Sequence, residues 1–346
     1  MSKLTLAELG FRPFFQQQLD LDELDAFGIC RIVEQHRSVL FGEGEEGSVE
    51  LTQVPNCERV CVGDWVLFDG ARRLVRVLER QSLFTRKAAG TSVDTQLIAA
   101  NIDSVFIVCS LNEDFNLNRI ERYLAISKEA KVEPVVVLTK LDLCSDADVK
   151  RQQVQALDPL LLVHAINALD QSHVRELSVY CESGKTIALL GSSGVGKSTL
   201  VNALIGQEVM ETAGIRESDD KGRHTTTHRS IKWLSQGGLL MDTPGMRELK
   251  LSDCEDGLNE TFSEISAFAQ QCRFNDCLHD QEPGCAVQEA ISDNVLDQRR
   301  LDNYQKLMRE QAFNTATLAE KRAKDKAFGK LISSAQSNAR THKKRY

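Results

Sequence analysis

Nine consecutive residues constrain this chain more than any other feature. Gly191-Ser192-Ser193-Gly194-Val195-Gly196-Lys197-Ser198-Thr199 spells G-x-x-x-x-G-K-[ST], the phosphate-binding loop. It lies between residues 186–190, which read as a short buried strand, and residues 198–205, which read as the start of a helix. Glycines at such a junction let backbone N–H groups converge on phosphate oxygens at a helix N-terminus. Lys197 is placed to reach β- and γ-phosphates, and the Ser198 hydroxyl to ligate Mg2+.

Two further nucleotide motifs accompany the loop, and their order is unusual. Asp242-Thr243-Pro244-Gly245 follows it, behind a small apolar strand. Asp242 can hold Mg2+, usually through water, and the Gly245 N–H can meet a γ-phosphate. Between them Gly222-Arg223-His224-Thr225-Thr226-Thr227 sits in a polar, charge-rich stretch that reads as a mobile loop. A threonine there, Thr226, should close on Mg2+ and the γ-phosphate. Thr139-Lys140-Leu141-Asp142, by contrast, comes before the phosphate loop. Asp142 can accept both the ring N–H and the exocyclic amine of guanine; adenine offers neither, and a site built for that pair rejects it strongly. The Lys140 stem would lie over the base plane, whereas Thr139 replaces the commoner Asn and loses an amide donor. In Leu162-Val163-His164-Ala165, His164 stands where a Ser usually supports the base, leaving only backbone contacts near Ala165.

An ordinary GTPase carries the guanine-reading tetrapeptide after its phosphate loop, so this order implies a circularly permuted P-loop GTPase domain. Apolar runs at 104–109, 134–138, 160–165 and 186–190 alternate with helical stretches such as 117–130, which suits one parallel α/β sheet with βαβ crossovers. With 346 residues the chain has room for two or three domains, and 42% hydrophobic content permits real cores.

The flanks read differently. Short β segments at 27–33, 38–41, 48–51, 64–68 and 74–78 suggest a small barrel, of OB type or equally of SH3-like type. Trp65 reads as core rather than as a base-stacking platform. Before the barrel, residues 1 to about 25 read as a helical or irregular arm. After the GTPase region, Cys272, Cys277, His279 and Cys285 form Cys-x4-Cys-x-His-x5-Cys. Three thiolates and an imidazole make a closed tetrahedral Zn2+ site of the structural kind. The expected divisions are 1–26, 27–98, 99–250 and 251–346.

Charge divides the chain as sharply as motif content does. Net charge is −8, yet residues 321–346 hold nine Lys or Arg against one Asp, so everything before them carries −16. A basic tail on an acidic body is an electrostatic footprint for nucleic acid, with RNA favoured beside a possible OB barrel. The sequence has no run of eighteen apolar residues, and its ten cysteines are too scattered for a secreted disulfide scaffold. A cytoplasmic monomer with no membrane contact is expected.

The order Thr-Lys-x-Asp, phosphate loop, Gly-Arg-His-Thr-Thr-Thr, Asp-Thr-Pro-Gly, then Cys-x4-Cys-x-His-x5-Cys resembles the ribosome small-subunit-dependent GTPase family (RsgA, also called YjeQ). Val62-Gly63-Asp64 and Ile98-Ala99-Ala100-Asn101-Ile102-Asp103 belong to the same likeness. The resemblance implies an OB barrel, a permuted GTPase domain and a helical zinc-binding domain. It also implies binding of GTP or GDP, and of the small ribosomal subunit and its rRNA late in subunit maturation. His164, the acidic stretch 42–47 and the long N-terminal arm depart from the family pattern.

Mechanism is read from a substitution. Ras-type GTPases orient the attacking water with a Gln just after D-x-x-G; here Met246 stands there and cannot donate or accept usefully. Hydrolysis by the chain alone should be slow, with His224 the best internal candidate for orienting water, as the resemblance also suggests. A non-hydrolysing GTP-dependent RNA scaffold and a P-loop kinase are the competing classes.

Overall fold

Strand β8 (Ser104–Ser110) is buried at every position, as a strand must be when helices cover both faces of a parallel sheet. The computed structural model describes residues 4–36, 39–52, 58–87, 95–206, 229–242, 246, 249, 251 and 253–315. In it β8 lies between β9 (Glu133–Thr139) and β11 (Thr186–Leu190), parallel to both. Beyond β9 comes β10 (Leu162–Ala165), also parallel. Beyond β11 come β13 (Leu239–Asp242), parallel, and β12 (Arg229–Trp233), antiparallel. Alternate residues of β8 feed opposite faces. Phe106 and Val108 pack with Leu200, Val201 and Leu204 of α6 (Lys197–Ile205), while Ile107 and Cys109 pack with Ile120 and Leu124 of α3 (Leu117–Glu129).

The chain runs outward from β8 through β9 to β10, then returns to β11 and proceeds the other way. That reversal between β8 and β11 is a topological switch point, where α/β sheets bind ligands outside the strands' carboxyl ends. Permutation is thus a matter of connection only: the Thr139–Asp142 motif lies at the end of β9 and the phosphate loop at the end of β11, with β8 between them.

The five barrel strands are β1 (Gly28–Gln35), β2 (Val39–Gly44), β3 (Gly47–Thr52), β4 (Trp65–Phe68) and β5 (Leu74–Val77). β1 pairs antiparallel with both β2 and β4, β2 with β3, and β4 with β5. A parallel bridge, Thr52 to Arg73, closes the ring. This parallel meeting of third and fifth strands, absent from an SH3-like barrel, makes it the OB type. The acidic stretch is the tip of the β2–β3 hairpin, where Gly44 pairs with Gly47. Trp65 is fully buried, as expected of a core residue.

The N-terminal segment, expected as a helical or irregular arm, is a partly helical strap over the barrel. Leu9 and Phe15 are buried against Trp65, Leu67 and Leu78. Two short helices, α1 (Pro13–Gln16) and α2 (Leu21–Ala26), carry it over the barrel, and an Asp20–Glu23 capping box starts the second.

Barrel and parallel sheet are continuous, because Glu34 and Gln35 of β1 pair with Ser230 and Arg229 of β12. A further hairpin, β6 (Leu83–Lys87) and β7 (Thr95–Ala100), lies at the joint. Neither β12 nor this hairpin was expected from the sequence. Gly63 has φ +96° and a Cβ there would collide with the Ala100 carbonyl oxygen, so only glycine lets the barrel approach β7. Asn101 donates to the Gly63 carbonyl at 3.0 Å, and its Oδ1 accepts from the Gln81 N–H at 2.9 Å. Asp103 accepts from Arg12 of the strap at 2.5 and 2.8 Å and from the Thr186 N–H at 2.7 Å. Arg31, fully buried, donates to the Leu9 and Asn101 carbonyls and to Thr186 Oγ1 at 2.6–2.8 Å. Strap, barrel and β11 therefore meet on one guanidinium. Burial pulls its pKa down to about 10, with nearby Asp103 opposing, so it remains charged at neutral pH.

Helices α7 (Glu255–Thr261), α8 (Ser263–Ala269), α9 (Ala286–Ser292) and α10 (Gln298–Thr315) complete the described chain. α7 and α10 pack on α3, with α8 against α7 and α9 against α8, and Gly257 of α7 lies so close to the Ala125 carbonyl that a Cβ would clash. No helix among the described residues is long and apolar enough to cross a membrane.

Candidate functional site

The phosphate loop has the backbone that its glycines predict. Gly191, Gly194 and Gly196 all have positive φ, at 148°, 80° and 94°. A side chain on Gly191 would strike the Val108 carbonyl, while Gly194 faces open space. Ser192 and Ser193 lie between these glycines, and Val195 is buried beneath the loop. Lys197 opens α6 and curls back, its Nζ donating to the Gly191 carbonyl at 2.7 Å and also to that of Ser192. Ser198 and Thr199 follow in the first helical turn, half-buried. The loop is thus a preformed cradle whose one cation is held by the loop itself.

Thr139, the residue expected to lose an amide donor, has found another use. The residue is 1% exposed, and Oγ1 donates to the Val195 carbonyl at 2.6 Å, tying the Thr139–Asp142 motif to the phosphate loop. Lys140 turns the chain with φ +60°, and Leu141–Leu143 forms a single 3-10 turn that leaves Asp142 exposed beside the crevice. The Leu141 N–H donates to the Ile166 carbonyl at 3.2 Å, which draws the segment after Ala165 to the same edge. His164 is turned elsewhere: its Nε2 lies 3.1 Å from the Tyr180 hydroxyl and its Nδ1 3.6 Å from Glu176.

Asp242 ends β13 with its carboxylate 15% exposed, paired with Lys232 of β12 at 2.7 Å. This carboxylate already holds a cation, and with the Ser198 hydroxyl it supplies the hard oxygens Mg2+ prefers. Met246 is buried in the core between sheet and C-terminal helices, so its side chain offers nothing to a water above the crevice. His224, Thr226 and Gly245 lie outside the described residues, as does the basic stretch 321–346.

At the other end of the molecule the four expected ligands converge. The donor atoms of Cys272, Cys277, His279 and Cys285 all lie within 4.8 Å of one another. Cys272 Sγ is 3.9 Å from Cys285 Sγ, and His279 Nδ1 is 3.6 Å from each of these sulfurs. A tetrahedral zinc with Zn–S near 2.3 Å sets neighbouring donors about 3.8 Å apart, so the set fits. Burial lowers the His279 pKa, against the pull of Glu282, which keeps the imidazole in its neutral, ligating form. Burial opposes ionisation of Cys272, but N–H groups of Val287 and Ala286 at the start of α9, together with the Cys277 and Cys285 thiols, outweigh it and lower that thiol's pKa. Positive φ at His279 and Gly284 bends the chain around the cluster.

One connection had no sequence signal. The Glu121 carboxylate on α3, fully buried, accepts from Arg299 (2.9 and 3.0 Å), Arg300 (3.0 Å) and Asn303 (2.5 Å) of α10. Two residues on, the Tyr123 hydroxyl faces the Ser192 side chain of the phosphate loop. One helix therefore touches both the phosphate loop and the C-terminal helices.

A sequence model of the RsgA GTPase family matches residues 77–252. The chain is 55% identical over 341 residues to the small ribosomal subunit biogenesis GTPase RsgA 2 of Vibrio parahaemolyticus, covering 99% of this chain and 95% of that one. The chain belongs to the RsgA GTPase family. RsgA of Mesorhizobium japonicum is 44% identical over 320 residues, 91% of this chain and 92% of that one. Among solved structures, YjeQ of Thermotoga maritima aligns with a TM-score of 0.62 at 26% identity, over 82% of this chain and 98% of that one. YloQ, described as a circularly permuted GTPase, has a TM-score of 0.60 at 24% identity, over 84% and 96%, which speaks to the fold. As a member of this family the chain is a GTP hydrolase.

Proposed function

We propose that this protein binds the small ribosomal subunit in the cytoplasm and hydrolyses GTP late in subunit maturation, with turnover stimulated by the subunit. The observation that carries the nucleotide part is the Thr139–Val195 contact, because it sets the guanine-reading motif against the phosphate loop. The subunit comes from the relatives, which are named for small-subunit biogenesis. Proposed divisions are a strap (1–26), an OB barrel (27–98), the permuted GTPase domain (99–250) and a metal-binding helical domain with a basic tail (251–346).

Asp142 reads the guanine edge, with Thr139 and Lys140 fixing and covering it. Backbone N–H groups of Gly191 to Thr199 hold the phosphates, and Lys197 turns outward from its loop carbonyls to the β,γ-bridge. Ser198, Thr226 and Asp242 are the residues that would hold Mg2+, which when bound would supply positive charge against the phosphate oxygens. The Gly245 N–H meets the γ-phosphate, and His224 orients water in place of the glutamine that Met246 displaces. Cys272, Cys277, His279 and Cys285 hold one structural Zn2+. The tail and barrel meet rRNA, the tail through phosphate contacts.

GTP turnover with and without purified small subunits tests this reading, with ATP as competitor. Stimulation by the subunits and preference for GTP are expected. Equal binding of ATP sinks the guanine assignment, and GTP binding with unstimulated turnover leaves only a scaffold.

A further inference from the structure

The Asp242 carboxylate is held by Lys232, and nothing in the motifs asks for a lysine there. The ion pair is short, 2.7 Å from Nζ to Oδ2, and largely enclosed, with side-chain exposures of 27% and 15%. Register fixes its position: Lys232 sits opposite Leu240, and Ser230 opposite Asp242. Residues two apart on a strand share a face, so Lys232, Leu240 and Asp242 lie on one side of the sheet. Leu240 packs there with Leu200 and Val201, two and three residues beyond Ser198 on α6. The ammonium is therefore on the side of the sheet where a Mg2+ shared by Ser198 and Asp242 would sit.

We infer that Lys232 is a resident cation at this carboxylate, and that it raises the Mg2+ concentration this protein needs to retain nucleotide. The inference rests on the proposed assignment of Asp242 to Mg2+. An ammonium within hydrogen-bond distance satisfies one carboxylate oxygen and cancels its charge. A divalent ion approaching Asp242, directly or through its water shell, must displace that contact or share a neutralised ligand. Two cations competing for one carboxylate are negatively coupled, and couplings between sites are typically about 5- to 150-fold. The pair also holds the carboxylate in place when Mg2+ has left, so the end of β13 does not carry a half-buried unpaired charge.

The test is release of a fluorescent GDP analogue from the full-length protein as free Mg2+ is lowered in metal-buffered solution. Lys232→Met, which keeps the stem and removes the charge, is expected to retain nucleotide at roughly tenfold lower Mg2+ than the unaltered protein. Lys232→Arg is expected to stay near the unaltered midpoint. Asp242→Asn tests the underlying assignment and should raise the midpoint. A raised midpoint in Asp242→Asn with no shift in Lys232→Met overturns the role of Lys232 alone. No shift in either removes the assignment of Asp242 as well. Should Lys232→Met fail to fold, Lys232→Gln is measured in the same way, and an unshifted midpoint there overturns the inference equally.

Discussion

At the scale of single residues, the candidate nucleotide site is organised by Thr139 and Lys197, whose side chains are tied to phosphate-loop carbonyls. Asp142 is exposed beside the crevice, free to meet a base edge. Asp142→Asn should weaken GTP strongly and shift preference toward xanthine nucleotides, whose ring presents a complementary acceptor; competition binding with GTP, XTP and ATP measures it. Thr139→Val removes the hydroxyl from a site that is 1% exposed and leaves the Val195 carbonyl without its partner. Loss of a buried hydrogen bond of this kind costs about 1–3 kcal/mol. Calorimetric titration should find GDP affinity reduced by about tenfold, the equivalent of 1.4 kcal/mol, with unchanged zinc content. An unchanged affinity would show that the tie does not organise the loop.

Among the elements, α3 has the widest reach. Its Tyr123 touches the phosphate loop, and its Glu121 holds two arginines and an asparagine of α10 inside the protein. Removing one partner from such a network leaves buried charge uncompensated, at about 3–5 kcal/mol. Glu121→Ala should therefore lower chemical-denaturation stability by that order, chiefly by releasing α10. The Cys272, Cys277, His279 and Cys285 cluster lies at the adjoining end, between α8 and α9. Elemental analysis should find about one Zn2+ per chain. Cys277→Ser should release it and loosen these helices, seen as a separate low-temperature transition in melting, because metal-binding free energy is folding free energy here. Carefully prepared protein without zinc would favour a plain thiol cluster.

On the scale of the whole molecule, chemistry and partner binding are assigned to different regions and can be separated. His224→Ala should lose most of the subunit-stimulated rate while GTP affinity stays nearly intact, since its interaction is made mainly in the transition state. Deleting residues 321–346 removes the cluster of nine basic residues and should lower subunit affinity in a salt-dependent manner. At saturating subunits the deletion should recover full rate and the His224 variant should not. Recovery of both would mean the ribosome alone orients the water.

The sequence by itself determined the phosphate loop, the gathering of three cysteines and a histidine, and most strands, because each is written in local pattern. Loop glycines, a strand-end Thr-Lys-x-Asp and four ligands within fourteen residues need only short-range geometry to be read. Strand β11 spans Thr186–Leu190, the very residues expected, since an apolar run bounded by turns reports its own limits. The barrel type was open because pairing partners carry no local signal; the Thr52–Arg73 bridge decided it. Val62-Gly63-Asp64 and residues 98–103 could be matched to a family but not explained. Their reason is a joint in three dimensions, with Gly63 against Ala100, Asn101 on Gly63, and Arg31 joining strap, barrel and sheet. Glu121, Lys232 and the docked strap were likewise silent, since an isolated charge reads as solvated surface until folding brings its partner from far along the chain. What a residue can do chemically was legible from its neighbours in sequence; what it is tied to depended on neighbours that only the tertiary structure supplies.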